Sequence, residues 1–228
     1  MLALWYAVNS GIPTLYFSAD SDARTMTIRT AAILMSKTVR EIENMMASDA
    51  AILVEQALEE GAGHIRFDFD PGPSLQDIEE EIKAYIEIYA DTPHMVILDN
   101  LLNVAGSHEN EWTAMRDAMS AFHYMARETE SAFVVLHHVS ENDSKPNVPA
   151  PRKALQGKVS QLPELVLSVA LDGAREQYKI ATVKNRHGQA DPTAEQFSTV
   201  SVDPARMTLY NSVVEKNKAD HLREITNG

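Results

Sequence analysis

Three short apolar runs, each stopping at a polar side chain, constrain this chain more than any other feature. Thr14–Ala19 (TLYFSA) runs into Asp20, His94–Leu98 (HMVIL) into Asp99, and Ala132–Leu136 (AFVVL) into His137 and His138. Near-continuous apolar runs of this length suit strands buried on both faces. Between them lie stretches with helical spacing: Asp22–Lys37, Asp49–Glu60, Asn110–Thr129, and a segment from Ser74 to about Ala90. Ser74 is a good N-cap, and Asp77 sits three residues on, where a capping box wants an acid. Leu2–Asn9 reads as a further helix, ended by Gly11 and Pro13, and His64–Asp70 alternates Ile65, Phe67 and Phe69 with polar residues, as a strand does. Strands alternating with helices predict an α/β fold with a mostly parallel sheet covered on both faces. Two later pairs, Leu165–Leu171 with Tyr178–Val183 and Phe197–Val202 with Met207–Tyr210, have no helix between their members. They predict antiparallel hairpins at the C-terminal edge. The segment after Val213 is polar and reads as frayed chain or a short helix.

Composition removes several classes. The 228 residues carry 20 Lys+Arg and 33 Asp+Glu, so 20 − 33 gives −13, which argues against a protein that coats nucleic acid. Any contact with DNA or RNA has to be local. No cysteine is present, which excludes disulfides, thiolate metal sites and cysteine nucleophiles, and suits a reducing cytoplasm. No run approaches the roughly 18 apolar residues of a membrane span, and Met1–Val8 has no Lys or Arg before it, so neither a membrane protein nor a signal peptide is indicated.

In open α/β sheets, ligands bind outside the carboxyl ends of the strands. Asp20, Asp99 and His138 each follow an apolar strand and are predicted to converge on one rim. The competing explanation is that strand ends meet water and carry polar residues for that reason alone. MVILD has the form of a Walker B strand, whose Asp holds Mg²⁺ beside nucleotide phosphates. A second carboxylate, Asp20, suits a general base. Other clusters carry less. His137, His138, Glu141 and Asp143 do not have the H-E-x-x-H spacing of a metal site, and Asp20–Asp22 lacks the Gly and distal Glu of a calcium loop. Asp68 and Asp70 read as solvated acids, and Met35, Met45, Met46, Met115 and Trp112 as packing.

Taken in order, these segments resemble the RecA-type ATPase core of the DnaB replicative helicase and RadA recombination families. TLYFSAD resembles the segment carrying the catalytic Glu, HMVILDN resembles Walker B, and VVLHHVSEND resembles the sensor segment that leads into the DNA-facing loop. RKALQGKVSQLPELVLSVAL resembles the segment after that loop, and VKNRHG resembles the KNRFG motif of RadA and the Lys-x-Arg-x-Gly of DnaB. The resemblance covers roughly residues 1–211, leaving 212–228 as a polar tail. It implies ATP and Mg²⁺ as cofactors, and a homo-oligomeric ring or filament acting on DNA, preferably single-stranded, in replication or recombination. Residue by residue, it implies Asp20 as base, His138 as sensor, Asp99 and Asn100 at the nucleotide with Asp99 on the metal, and Lys184 and Arg186 reaching a neighbour's nucleotide. The loop Glu141–Lys153 matches the DNA-binding loop and offers Lys145, Arg152 and Lys153 against Glu141 and Asp143, so 3 − 2 gives +1. A solvated surface loop and ordinary surface cations are the competing explanations for these basic residues.

The sequence departs from the family twice. Asp20 stands where the family has Glu, one methylene shorter, and no G-x-x-x-x-G-K-[ST] occurs in the 228 residues. Without that loop's N–H groups and Lys, this polypeptide alone is expected to bind ATP·Mg²⁺ weakly or not at all. Two alternatives follow: a non-catalytic RecA-fold subunit that lends Lys184 and Arg186 to an active partner, or a regulatory ATPase homologue without a DNA role. Taking the family's first strand to lie between strands 94–98 and 132–136 also predicts a vacant slot there, about 9–10 Å wide. Such a slot would leave the isolated chain poorly soluble, or filled by its own tail or by another chain.

Overall fold

The computed structural model describes residues 1–104, 111–139, 145–211 and 213–226. Helix α1 (Leu2–Ser10) ends at Gly11, whose φ of 66° is left-handed and free of strain for glycine. Strand β1 (Thr14–Ser18) follows, then α2 (Ala23–Met35), capped by the Asp22 carboxylate, which accepts from Thr25 N at 2.7 Å. Helices α3 (Val39–Met46) and α4 (Ala51–Gly61) precede β2 (Ile65–Asp68). Next come α5 (Leu75–Tyr89), β3 (Met95–Asp99), the short α6 (Leu101–Val104), α7 (Glu111–Thr129) and β4 (Ala132–Val135). The Ser74–Asp77 capping box forms as its spacing predicts. Helix α3 was not expected from the sequence, although Thr38 and Glu41 close a second capping box at its start.

These four strands form one parallel sheet in the order β2-β1-β3-β4. Side-chain alternation splits its core in two. Tyr16, Met95 and Ile97 face α1–α4, where Leu4, Met26, Ile28, Ile42 and Val54 are buried. Leu15, Phe17, Val96 and Leu98 face the other way, onto Ile78 and Ile82 of α5 and Met115 and Phe122 of α7. Burial on both faces is why β1 and most of β3 lack polar alternation.

The vacant slot is not there. Strands β3 and β4 pair directly in parallel, Met95 beside Ala132 and Leu98 beside Val135, so their facing backbone groups are satisfied. The error lay in placing the first strand of the resembled family between them. In the described sheet β4 is instead an edge, and Val134 on it is 38% exposed.

The late strands make a second, antiparallel sheet, β5 (Leu165–Asp172), β6 (Gln177–Asn185), β7 (Ser198–Asp203) and β8 (Thr208–Tyr210), in sequential order. On β5 one face is exposed, with Leu165, Leu167, Val169 and Leu171, while Ser168 and Asp172 on the other face are buried. Buried Lys179 donates to Asp172 Oδ2 at 2.9 Å, so two ionic groups are taken into this sheet as a pair. The polar C-terminal segment forms α8 (Val213–Thr226), which Arg223 ties to β8 through the Tyr210 hydroxyl at 2.8 Å. Among the described residues no helix is long and apolar enough to cross a membrane.

Candidate active site on the strand-end rim

Because β1, β3 and β4 are parallel, their carboxyl ends lie on one edge, and the chain stays tied together beyond the strands. Ala19 N donates to Asp99 O at 3.0 Å, and Leu101 N donates to Leu136 O at 2.9 Å. These bonds bring Asp20, Asn100 and His138 together, whereas the three apolar runs point to Asp20, Asp99 and His138.

Asn100 is the hub. It is buried, and its Nδ2 lies 2.5 Å from Asp20 Oδ2 and 3.3 Å from His138 Nε2. Its Oδ1 accepts from Leu102 N at 2.9 Å, which fixes which end of the amide carries the hydrogens. One Nδ2 hydrogen then has the Asp20 carboxylate as its acceptor, and the other is within reach of His138 Nε2. Both Asp20 and His138 are exposed, so a buried amide joins two side chains that solvent or a ligand can reach. The peptide bond between Asp99 and Asn100 is cis.

Asp99 is held from the α1–α4 side. The Tyr16 hydroxyl donates to Asp99 Oδ2 at 3.1 Å, while Oδ1 has no hydrogen-bond partner among the described residues. Burial raises the Tyr16 pKa far above the usual tyrosine value, and the Asp99 charge and hydrogen bond raise it further. Tyr16 is therefore a fixed neutral donor. Arg29 on α2 places its charge within influence of Tyr16 and holds Ser21 Oγ at 3.1 Å. Neither Tyr16 nor Arg29 was singled out by the sequence. The available signal was a tyrosine in an otherwise apolar strand, two positions short of the register partner of Asp99.

The remaining basic candidates form a second group. Lys184 Nζ donates to Gln161 O at 2.7 Å, and Arg186 pairs with Glu164 at 2.7 Å. Arg152 and Lys153 lie in a 3-10 turn, Arg152–Ala154, and the Arg152 guanidinium is anchored on Ser160. Lys145 is exposed. Glu141 and Asp143 lie outside the described residues. Among the described residues no hydrogen bond or ion pair joins this second group to the Asp20–Asn100–His138 network. Nor do three potential metal-ligating side chains cluster anywhere among them. Asp99 with its free Oδ1 fits a cation that takes one carboxylate and completes its shell with water and phosphate oxygens, as Mg²⁺ does.

The sequence profile of the AAA domain family matches residues 3–144, more than half of the chain. The Gene 65 protein of Mycobacterium phage L5 is 34% identical over 207 residues, covering 86% of this chain and 75% of that protein. The Gene 65 protein of Mycobacterium phage D29 is 34% identical over 230 residues, covering 96% and 93%. Among solved structures, one ATPase domain superposes with a TM-score of 0.76 at 14% identity, covering 92% of this chain and 79% of that one. A DnaB-like replicative helicase, described with its interactions with primase, gives 0.75 at 14% identity, and this chain spans 54% of its length. A KaiC-like protein from Pyrococcus horikoshii OT3 gives 0.56 at 12% identity, covering 91% and 79%. The chain belongs to the AAA domain family, and its fold is RecA-like, similar to that of the DnaB-like helicase.

Proposed function

We propose that this chain is the ATPase core of a DnaB-like motor that couples nucleotide hydrolysis to unwinding or remodelling of DNA, working as a homo-oligomer. The observation that carries the proposal is the Asp20–Asn100–His138 network beside Asp99 on one strand-end rim. Asp99 would hold Mg²⁺, with Tyr16 fixing the carboxylate and leaving Oδ1 for the ion. The cation supplies charge neutralisation of the phosphates. Asp20 takes the proton of the attacking water, and Asn100 orients its carboxylate. His138 joins that carboxylate to the segment leading into the proposed DNA loop, so that DNA contact and water activation share one hydrogen-bonded amide. Lys184 and Arg186 act on the nucleotide of a neighbouring copy.

No G-x-x-x-x-G-K-[ST] phosphate loop occurs among these 228 residues. The test is ATP hydrolysis with and without single-stranded DNA, by the chain as given and by the chain lengthened with its in-frame upstream coding sequence. Turnover by the longer form that DNA stimulates and Asp20→Asn removes supports the motor. Turnover indifferent to DNA would favour a regulatory ATPase instead. No turnover in either form, with ATP hydrolysis by a mixed partner increased by this chain, would favour a non-catalytic subunit.

A further inference from the structure

Among the described residues Lys179 is the one buried lysine, 8% exposed on β6. Its Nζ donates to Asp172 Oδ2 at 2.9 Å and to Asn147 O at 2.8 Å, and it lies 5.8 Å from the centre of the Phe197 ring. An aromatic face within about 6 Å attracts an ammonium, so three neighbours share the charge. Asp172 does not need this lysine. Arg175 donates to it twice, from Nη1 to Oδ2 at 3.2 Å and from its backbone N–H to Oδ1 at 3.3 Å. Nor does the ion pair explain itself, since a buried pair adds little over well-packed apolar side chains of the same volume. What Lys179 adds is the bond to Asn147, which belongs to another part of the chain.

Asn147 lies in the loop that leaves β4 after His138. The base of that loop is held where Val139 bridges Leu155. Its return arm is held where Pro149 and Ala150 are buried and Arg152 N donates to Pro192 O at 2.9 Å. Among the described residues, the Lys179 bond is the one hydrogen bond that reaches residues 145–148 from elsewhere in the chain. Asn147 has a left-handed φ of 61°, a conformation that asparagine visits more readily than most residues with a side chain. The chain turns there, and fixing the carbonyl fixes the turn. Lys145 is exposed two residues earlier, at most about 7 Å of extended chain away.

We propose that Lys179 is a positioning residue for nucleic-acid binding: it touches no phosphate, and it sets the loop conformation in which Lys145 meets the phosphates of a single strand. The inference rests on the reading of this loop as the DNA-contacting one. It goes beyond that reading in assigning the loop's shape to a buried side chain on β6.

The chain has no cysteine, so Lys145→Cys carries a single nitroxide spin label. Its spectrum should show a slowed label with Lys179 in place and a more mobile one with Lys179→Met. Unlabelled variants are then titrated by fluorescence anisotropy against a single-stranded oligodeoxynucleotide at a series of salt concentrations. Losing one phosphate contact to a single strand flattens the slope of log affinity against log salt by about 0.7. Lys145→Gln should show that change. Lys179→Met should show the same change, although a lysine this buried meets no phosphate, and combining the two should flatten the slope no further. Arg127→Gln, on an exposed cation of α7, removes the same charge and should leave the slope unchanged. Should Lys179→Met fail to fold, as a thermal melt reports, Asp172→Asn combined with Lys179→Met removes both charges and takes its place. Equal label mobility with and without Lys179, or additive losses in the combined variant, overturns the proposal. Wild-type binding that Lys179→Met leaves intact overturns this inference alone. A wild-type chain that does not bind the oligonucleotide overturns the reading of the loop, and this inference with it.

Discussion

The Tyr16 hydroxyl donates to Asp99 Oδ2 across 3.1 Å, joining two residues 83 positions apart through the parallel pairing of β1 and β3. Tyr16 lies beside Ile97 in register, and Asp99 is two residues further along the same face. The ring is buried in the core beneath α1–α4, so only the hydroxyl serves the rim.

Tyr16→Phe should keep the ring packing and lose the donor. A hydrogen bond to a charged group is worth about 1.5–3 kcal/mol, so a denaturant melt should show a loss in that range at neutral pH. The pH dependence has a definite sign. The folded pKa of Tyr16 is raised, so its contribution is fully present below the unfolded tyrosine pKa of about 10 and is lost as pH rises from there toward the folded value. Wild-type stability should therefore fall more steeply than that of Tyr16→Phe above about pH 10. Parallel alkaline curves for the two proteins would contradict the assignment.

A second prediction concerns α3. The Thr38 Oγ1 accepts from Glu41 N at 3.2 Å, and the Glu41 carboxylate accepts from Thr38 N at 2.7 Å. The Thr38 hydroxyl, and after it the Thr38 N–H, donate to the Glu41 carboxylate and hold Glu41 below the usual glutamate pKa. Thr38→Ala removes the cap and should cost about 1 kcal/mol. For a chain of this size that lowers the thermal midpoint by about 2–4 °C. An unchanged midpoint would mean that α3 is held by its packing on Ile42 alone.

This cap shows how far the sequence could be read. The pattern T-x-x-E was as visible as the Ser74–Asp77 box. Val39, Ile42, Met45 and Met46 stand at helical spacing behind it, so the stripe of this short helix was in the sequence too. The parallel sheet was legible because burial on both faces leaves near-continuous apolar runs in β1 and β3. Its strand order was not, since apolar runs carry no mark of their neighbours, and the supposed gap between β3 and β4 came from that silence. At the rim, Asp20 and Asp99 were legible as the first polar residues after those runs, and His138 as the second. The part of Asn100 as a bridge was not, because it depends on a buried amide turned toward two other strands.

Asn100→Ala tests the bridge. Leu102 N loses its acceptor and Asp20 its donor, so folding stability should fall by about 1–3 kcal/mol. In the form of the protein that turns over ATP, turnover should fall about 100-fold, the lower end of what a positioned general base contributes. Asn100→Gln offers the same amide one methylene further out and should restore less than a tenth of the activity. If Asn100→Ala melts like the wild type yet keeps full turnover, Asp20 is not the base that the amide orients.

The trans role of Lys184 makes the most specific prediction. Asp99 and Lys184 belong to separate hydrogen-bonded groups in one chain, the first held by Tyr16 and the second by Gln161 O. If both act on one nucleotide across a contact between copies, each single variant, Asp99→Ala or Lys184→Ala, should abolish most DNA-stimulated turnover of the active form. In a mixed assembly some contacts then place an intact Asp99 opposite an intact Lys184. Random mixing of two variants in equal amounts gives one such contact in about four, since each side is intact with probability one half. Activity should therefore recover to about a quarter of the wild-type level if contacts act independently, and the recovery should vanish on dilution as the assemblies separate. Were both residues to serve the nucleotide of their own chain, every subunit in the mixture would carry one defect and no ratio would restore turnover. Size-exclusion chromatography of the mixture, run beside the assay, distinguishes absent recovery from absent assembly.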